Sequence, residues 1–152
     1  MTLRERIAAA LKDAMKSREA DRLSTLRLIN AAIKDKDIAF RGEGGEGTVG
    51  DAEILAILGR MVKQRLESVR AYEEGGRLEL AEKEQAEIKV IEGFLPRQLS
   101  AVEVEAALAK AIAEVGASSI RDMGKVMAAL KAKYTGQMDF AAVGSKLKDK
   151  LA

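Results

Sequence analysis

Phe94-Leu95-Pro96-Arg97-Gln98-Leu99-Ser100 surrounds the single proline of a 152-residue chain and divides an otherwise helix-coded sequence into two unequal parts. Proline has no backbone N–H and pushes the residue before it out of the helical region, so the amphipathic run that reaches Leu95 must stop there. A new helix starts almost at once. Ser100 followed by Glu103 is a capping box, in which hydroxyl and carboxylate each satisfy the other residue's orphan backbone N–H ahead of Val104 and Leu108. The expected organisation is a helical unit over residues 1–95 and a smaller one over residues 96–152.

Working outward toward the N-terminus, Leu3, Ile7, Leu11 and Met15 recur at helical spacing; Ser17 to Asp21 interrupts them, and Leu23, Leu26, Ile29 and Ile33 resume the pattern. Gly42 to Gly50 holds five glycines and two glutamates, which reads as a mobile loop. Asp51 then caps a long helix carrying Ile54, Ile57, Leu58, Met61, Val62, Val69 and Tyr72. Gly75-Gly76 ends it, and a fourth helix runs from about Arg77 to Phe94. Beyond the proline, Val104, Leu108 and Ile112 form a short helix that stops at Gly116. Ser118 or Ser119 caps the next, with Ile120, Met123, Val126, Met127, Leu130 and Tyr134 on one face, and Asp139 caps a last one with Phe140, Val143, Leu147 and Leu151. The fold class is all-α, four helices followed by three, with no strand.

Composition closes most catalytic templates, because the chain has neither histidine nor cysteine. No Ser-His-Asp triad, Cys-His pair, nitrogen- or sulfur-ligated zinc site or disulfide can be built from it. Net charge is +2, the profile of a helical protein and not of a polycation. The charge is unevenly divided: residues 1–96 carry 17 basic and 18 acidic side chains, and residues 97–152 carry 9 and 6. No apolar run approaches the ~20 residues of a membrane span, so no membrane association and a cytoplasmic location are expected.

Three features invite a functional reading and do not sustain it. Gly42-Glu43-Gly44-Gly45-Glu46-Gly47 spells G-x-G-x-x-G, but the dinucleotide fingerprint needs a strand before it and a helix after it, and two glutamates repel a pyrophosphate. Ser118-Ser119 has no nearby lysine to act as a base, and helix capping accounts for both. Glu73-Glu74 and Glu82-Glu84 read as a solvated helical face and not as a metal site. Neither a metal nor a nucleotide cofactor is expected.

Lys63-Gln64-Arg65, Ser68, Ala81-Glu82-Lys83-Glu84, the Leu95-Pro96-Arg97-Gln98-Leu99-Ser100 segment and Asp122-Met123-Gly124-Lys125-Val126-Met127 together resemble the YqeY family, in order and over essentially the whole chain. That family is similar to the C-terminal tail of GatB, a subunit of the glutamine-dependent amidotransferase that acts on misacylated Glu-tRNA or Asp-tRNA. The glutaminase, kinase and transamidation centres of that enzyme lie outside the tail. The resemblance therefore implies docking of tRNA, or of a tRNA-handling protein complex, with no catalytic residue of its own. Carbon–nitrogen ligase activity with glutamine as amido-N-donor would be an inheritance from the complex.

Candidate tRNA contacts follow from the charges of the smaller unit. Helical projection puts Arg121 and Lys125 side by side, opposite Met123, Val126 and Leu130, with Ala128 and Ala132 flanking them, while Lys146, Lys148 and Lys150 border the apolar stripe of the last helix. Cations against phosphate suit folded RNA, and the scarcity of aromatics argues against single-strand stacking. The alternative is a helical adaptor of the translation apparatus that binds another protein. In the larger unit, Arg65 and Glu84 fall inside apolar stripes of neighbouring antiparallel helices, so a structural ion pair between them is expected.

Overall fold

In the computed structural model, which describes residues 1–152, the chain is all-helical. Its helices are α1 (Leu3–Ser17), α2 (Ala20–Gly42), α3 (Asp51–Glu74), α4 (Leu78–Glu92), α5 (Ala101–Val115), α6 (Met123–Lys133) and α7 (Phe140–Leu151), with one 3-10 turn, Ile120–Asp122, ahead of α6. The backbone forms two compact units, Met1–Leu95 and Pro96–Ala152.

In the first unit, α1, α2, the amino-terminal half of α3 and the end of α4 share one aliphatic core, centred on the fully buried Leu26, Ile29, Ile54, Leu58 and Ile91. The remainder of α3 and α4 forms a helical hairpin with its own small cluster of Val69, Ala81 and Ile88. Gly76, in the left-handed conformation at φ 72°, lies in the turn between these helices.

Arg65 lies in the seam of that hairpin, but its partner is Glu87, at 2.9 Å, and not the expected Glu84. The correction has a geometric cause. Helical side chains lean toward the N-terminus of their own helix, and the Arg65 guanidinium leans far enough to donate to the Met61 carbonyl at 3.2 Å. In an antiparallel hairpin this direction leads away from the turn, toward the later part of α4. Arg65 stands nine residues before the end of α3 and Glu87 nine residues after the start of α4, whereas Glu84 stands only six after it.

The glycine-rich segment also departs from expectation, because its far end is anchored. Val49 is buried in the main core, and its N–H donates to the Asp37 carboxylate at 3.0 Å. Arg4 closes the arrangement with two bonds to the same carboxylate, at 3.0 and 2.9 Å, and a third to the Val49 carbonyl at 3.0 Å. Nearer α2 the loop folds onto Phe40, where a Cβ on Gly45 would fall 2.6 Å from the ring. Asp51 does not cap α3: Gly50 holds the cap position, and Asp51 accepts the Leu3 N–H at 3.3 Å, tying the start of α1 to the start of α3.

The second unit packs α5, α6 and α7 around Leu108, Val126, Leu130 and Leu147. The Ser100–Glu103 capping box is present, and Ser119 with Asp122 makes a second one at the 3-10 turn. The irregular segment after Pro96 is held by the α6–α7 connection: Leu99 N–H donates to the Gln137 carbonyl at 2.9 Å, and the Gln137 amide returns a bond to the Arg97 carbonyl at 3.1 Å.

Two stability measurements follow. Urea unfolding of Arg65→Ala is expected to show a loss of about 1–3 kcal/mol from the stranded Glu87, with Arg65→Met/Glu87→Leu close to the parent and Glu84→Ala within about 0.5 kcal/mol of it. Asp37→Ala strands the Val49 N–H and the Arg4 guanidinium. It is expected to cost about 2–3 kcal/mol, and to release the Val49 amide to solvent in hydrogen exchange, whereas a variant at exposed Asp35 leaves that amide protected.

Candidate nucleic-acid interface

The five basic residues expected to contact tRNA are all exposed, but the fold gives them different surroundings. Arg121 is not on α6. The Ser119–Asp122 capping box tightens the approach into a 3-10 turn, and α6 begins at Met123, so a single helical projection does not relate Arg121 to Lys125. Asp122 accepts the backbone N–H groups of Ser118 and Ser119, at 3.0 and 3.4 Å. Those bonds, with a smaller contribution from Lys125, hold its carboxyl below the usual range. Arg121 and Lys125 consequently have no carboxylate within salt-bridge distance, and Ala128 and Ala132 on α6 are exposed beside them as small neighbours.

The lysines of α7 are not equivalent. Lys150 and Lys146, one helical turn apart, both reach Glu105 of α5, at 2.9 and 3.8 Å. They keep that carboxyl ionised below its ordinary range, Lys150 most strongly. Only Lys148 of the three points away from this contact, because it lies two residues from each of them on the helix. Sequence reasoning treated the three as one patch, since the acidic residue that neutralises two of them belongs to another helix.

Lys131 and Lys133, in the last turn of α6, are additional exposed cations that the sequence reading passed over. The Lys133 ammonium lies 5.6 Å from the centre of the Tyr134 ring. Beside them an open groove of about 360 Å³ runs past Arg97, Leu99, Glu103, Lys110, Tyr134 and Gln137. In its lining Arg97 grips Glu103 with two bonds of 2.9 and 2.8 Å. The Arg97 guanidinium, helped by the Ser100 N–H, draws the Glu103 carboxyl down to about 2. Both cations that line the groove are paired, Arg97 with Glu103 and Lys110 with Glu114 at 4.0 Å.

The chain matches the family described as Yqey-like protein over residues 4–151. It is 31% identical over 94 residues to a Schizosaccharomyces pombe protein described as uncharacterized, covering 62% of this chain and 72% of the other. It is 35% identical over 85 residues to altered inheritance of mitochondria protein 41, mitochondrial, of Clavispora lusitaniae, covering 56% of this chain and 46% of that one. The protein of the same name from Pyrenophora tritici-repentis is 26% identical over 152 residues, covering 93% of this chain and 81% of that one. No helix is long and apolar enough to cross a membrane.

A carboxyl depressed in the folded state contributes stability above its unfolded pKa and loses it as pH falls through the folded one. For Glu103 that window runs from 4.5 down to about 2. Carbon-detected NMR titration is expected to place its midpoint near 2 in the parent, and to return it toward the ordinary value of 4.5 in Arg97→Ala.

Proposed function

Since the chain belongs to the YqeY-like family, we propose that it is a helical module that docks tRNA, or a tRNA-handling complex, and has no active site of its own. The observation that carries this reading is the pair Arg121 and Lys125: both are exposed, neither has a carboxylate partner, and the acid nearest in sequence, Asp122, is occupied by backbone N–H groups. Family resemblance to the GatB tail supplies the RNA, and the unpaired cations supply the chemistry. Lysine and arginine against phosphate release counterions and recognise shape, which suits a folded RNA read without base contacts. The reading is compatible with the cytoplasm and equally with a mitochondrial compartment, the location named for two of the relatives.

A protein partner is the second reading, and one observation favours it. Val102 is 79% exposed, and Ala106, Ala109 and Ala113 continue its face along α5. An adaptor that uses this face binds with little dependence on salt, which separates it from RNA docking.

Titration of labelled tRNA against salt distinguishes the contributions. Arg121→Ala/Lys125→Ala is expected to weaken binding and make the log K against log salt slope shallower by about 1–2. Lys146→Ala/Lys150→Ala should change it less, because Glu105 already holds both ammonium groups. Glu105→Gln releases them and is expected to tighten binding at low salt. A parent that binds no tRNA at any salt concentration refutes the docking reading.

A further inference from the structure

Arg27, Ala31, Lys34, Ile38 and Arg41 recur on α2 at intervals of four, three, four and three residues, the spacing of one helical face. All five are exposed, and the buried side of the helix is Leu26, Ile29 and Ile33. The three cations stand one heptad apart, so at 1.5 Å per residue they are spaced about 10 Å from each other along about 21 Å of helix.

Solvated helices ordinarily place acids three or four residues from such cations. Here Arg27 has Leu23, Ser24, Asn30 and Ala31 at those positions. Asp37 is three residues after Lys34 and four before Arg41, but its carboxylate is buried against Arg4 and Val49. Its field reaches Arg41 without a salt bridge, and the ion pairs that α2 does make join Arg22 to Glu19 and Arg4 to Asp37. Exposed Asp35 follows Lys34 on another side of the helix, and Glu43 caps its end. The helix dipole favours a cation at Arg41, in the last turn, but gives no reason for Arg27 or Lys34 in the middle.

We propose that Arg27, Lys34 and Arg41 form a second contact face for RNA phosphates, on residues 1–95 and additional to the cations of residues 96–152. The proposal rests on the tRNA-docking reading and adds the site on the first unit that this reading lacks. Ala31, the small side chain between Arg27 and Lys34, lets a polyanion approach the helix there. The regular spacing on a rigid element suits backbone contact along a structured RNA and not base readout. A membrane surface is the poorer fit: an interfacial helix inserts a broad apolar face, whereas the apolar face of α2 is used up in the core and Ile38 is the one large apolar side chain within the stripe.

The test uses the full chain with Arg27→Gln/Lys34→Gln/Arg41→Gln, which keeps three good helix formers, and measures tRNA binding between about 50 and 200 mM salt. The expected result is affinity at least about tenfold lower at the low-salt end and a slope shallower by about 2–3, with unchanged circular dichroism. Should the triple variant lose helicity, the single variants replace it, each expected to reduce the slope by about 1. A triple variant that binds like the parent, while Arg121→Ala/Lys125→Ala weakens binding, overturns the α2 face and leaves the docking reading standing. A parent without tRNA affinity overturns both. Loss of binding to phosphatidylserine vesicles with tRNA binding intact also overturns the α2 face, in favour of a lipid surface.

Discussion

The Asp37 carboxylate accepts two bonds from Arg4 and one from the Val49 N–H, and the course of the first unit depends on that convergence. One buried anion joins the first turn of α1, the later part of α2 and the far end of the glycine-rich loop. Arg4 donates again to the Val49 carbonyl, so the loop's last buried residue has both backbone polar groups satisfied. Two residues later Asp51 takes the Leu3 N–H, and α3 departs from a defined point. The anion is held in its charged form chiefly by the Arg4 hydrogen bonds, against the opposing effect of burial, so its pKa is lowered. Stability from this group is present above the ordinary carboxylate range and declines as pH falls through the lowered value.

Elsewhere the cations divide into those that meet a carboxylate and those with none within salt-bridge distance. Arg65 with Glu87 holds the hairpin seam, and Lys146 and Lys150 with Glu105 hold α7 to α5. Arg97 with Glu103 organises the turn after the proline. Arg121, Lys125 and Lys148, and the row on α2, belong to the second group. A near-neutral chain can therefore present cationic faces, because many of its carboxylates are occupied in capping and pairing. Net charge does not report this division; the partner of each carboxylate does.

The α3–α4 hairpin shows how an ion pair acts where apolar area is small. Beyond the main core, its seam is filled by Val69, Ala81 and Ile88 with Val62 and Tyr72 packed beside them. Arg65 and Glu87 are mostly shielded there, with side chains 14% and 17% exposed. A pair of this kind adds little net stability over an apolar replacement, yet it penalises every register in which either charge is left alone.

By itself the sequence determined the helical class, the break around Pro96 and those element ends that rest on local chemistry: a missing N–H at proline, a capping box at Ser100 and Glu103, an Asp139 cap and aliphatic periodicity; the starts of α3 and α6 did not follow from it. It also contained the α2 row, as cations seven residues apart. The tertiary structure decided which charges meet. Whether Arg65 reaches Glu84 or Glu87 depends on the lean of a side chain and the register of a hairpin, and whether Lys146 is available depends on Glu105, 41 residues away. Val49 gave no local sign of its burial among glycines, because its anchor lies on α1 and α2. Periodicity reports one helix at a time, whereas pairing of long flexible side chains is settled in the space between helices.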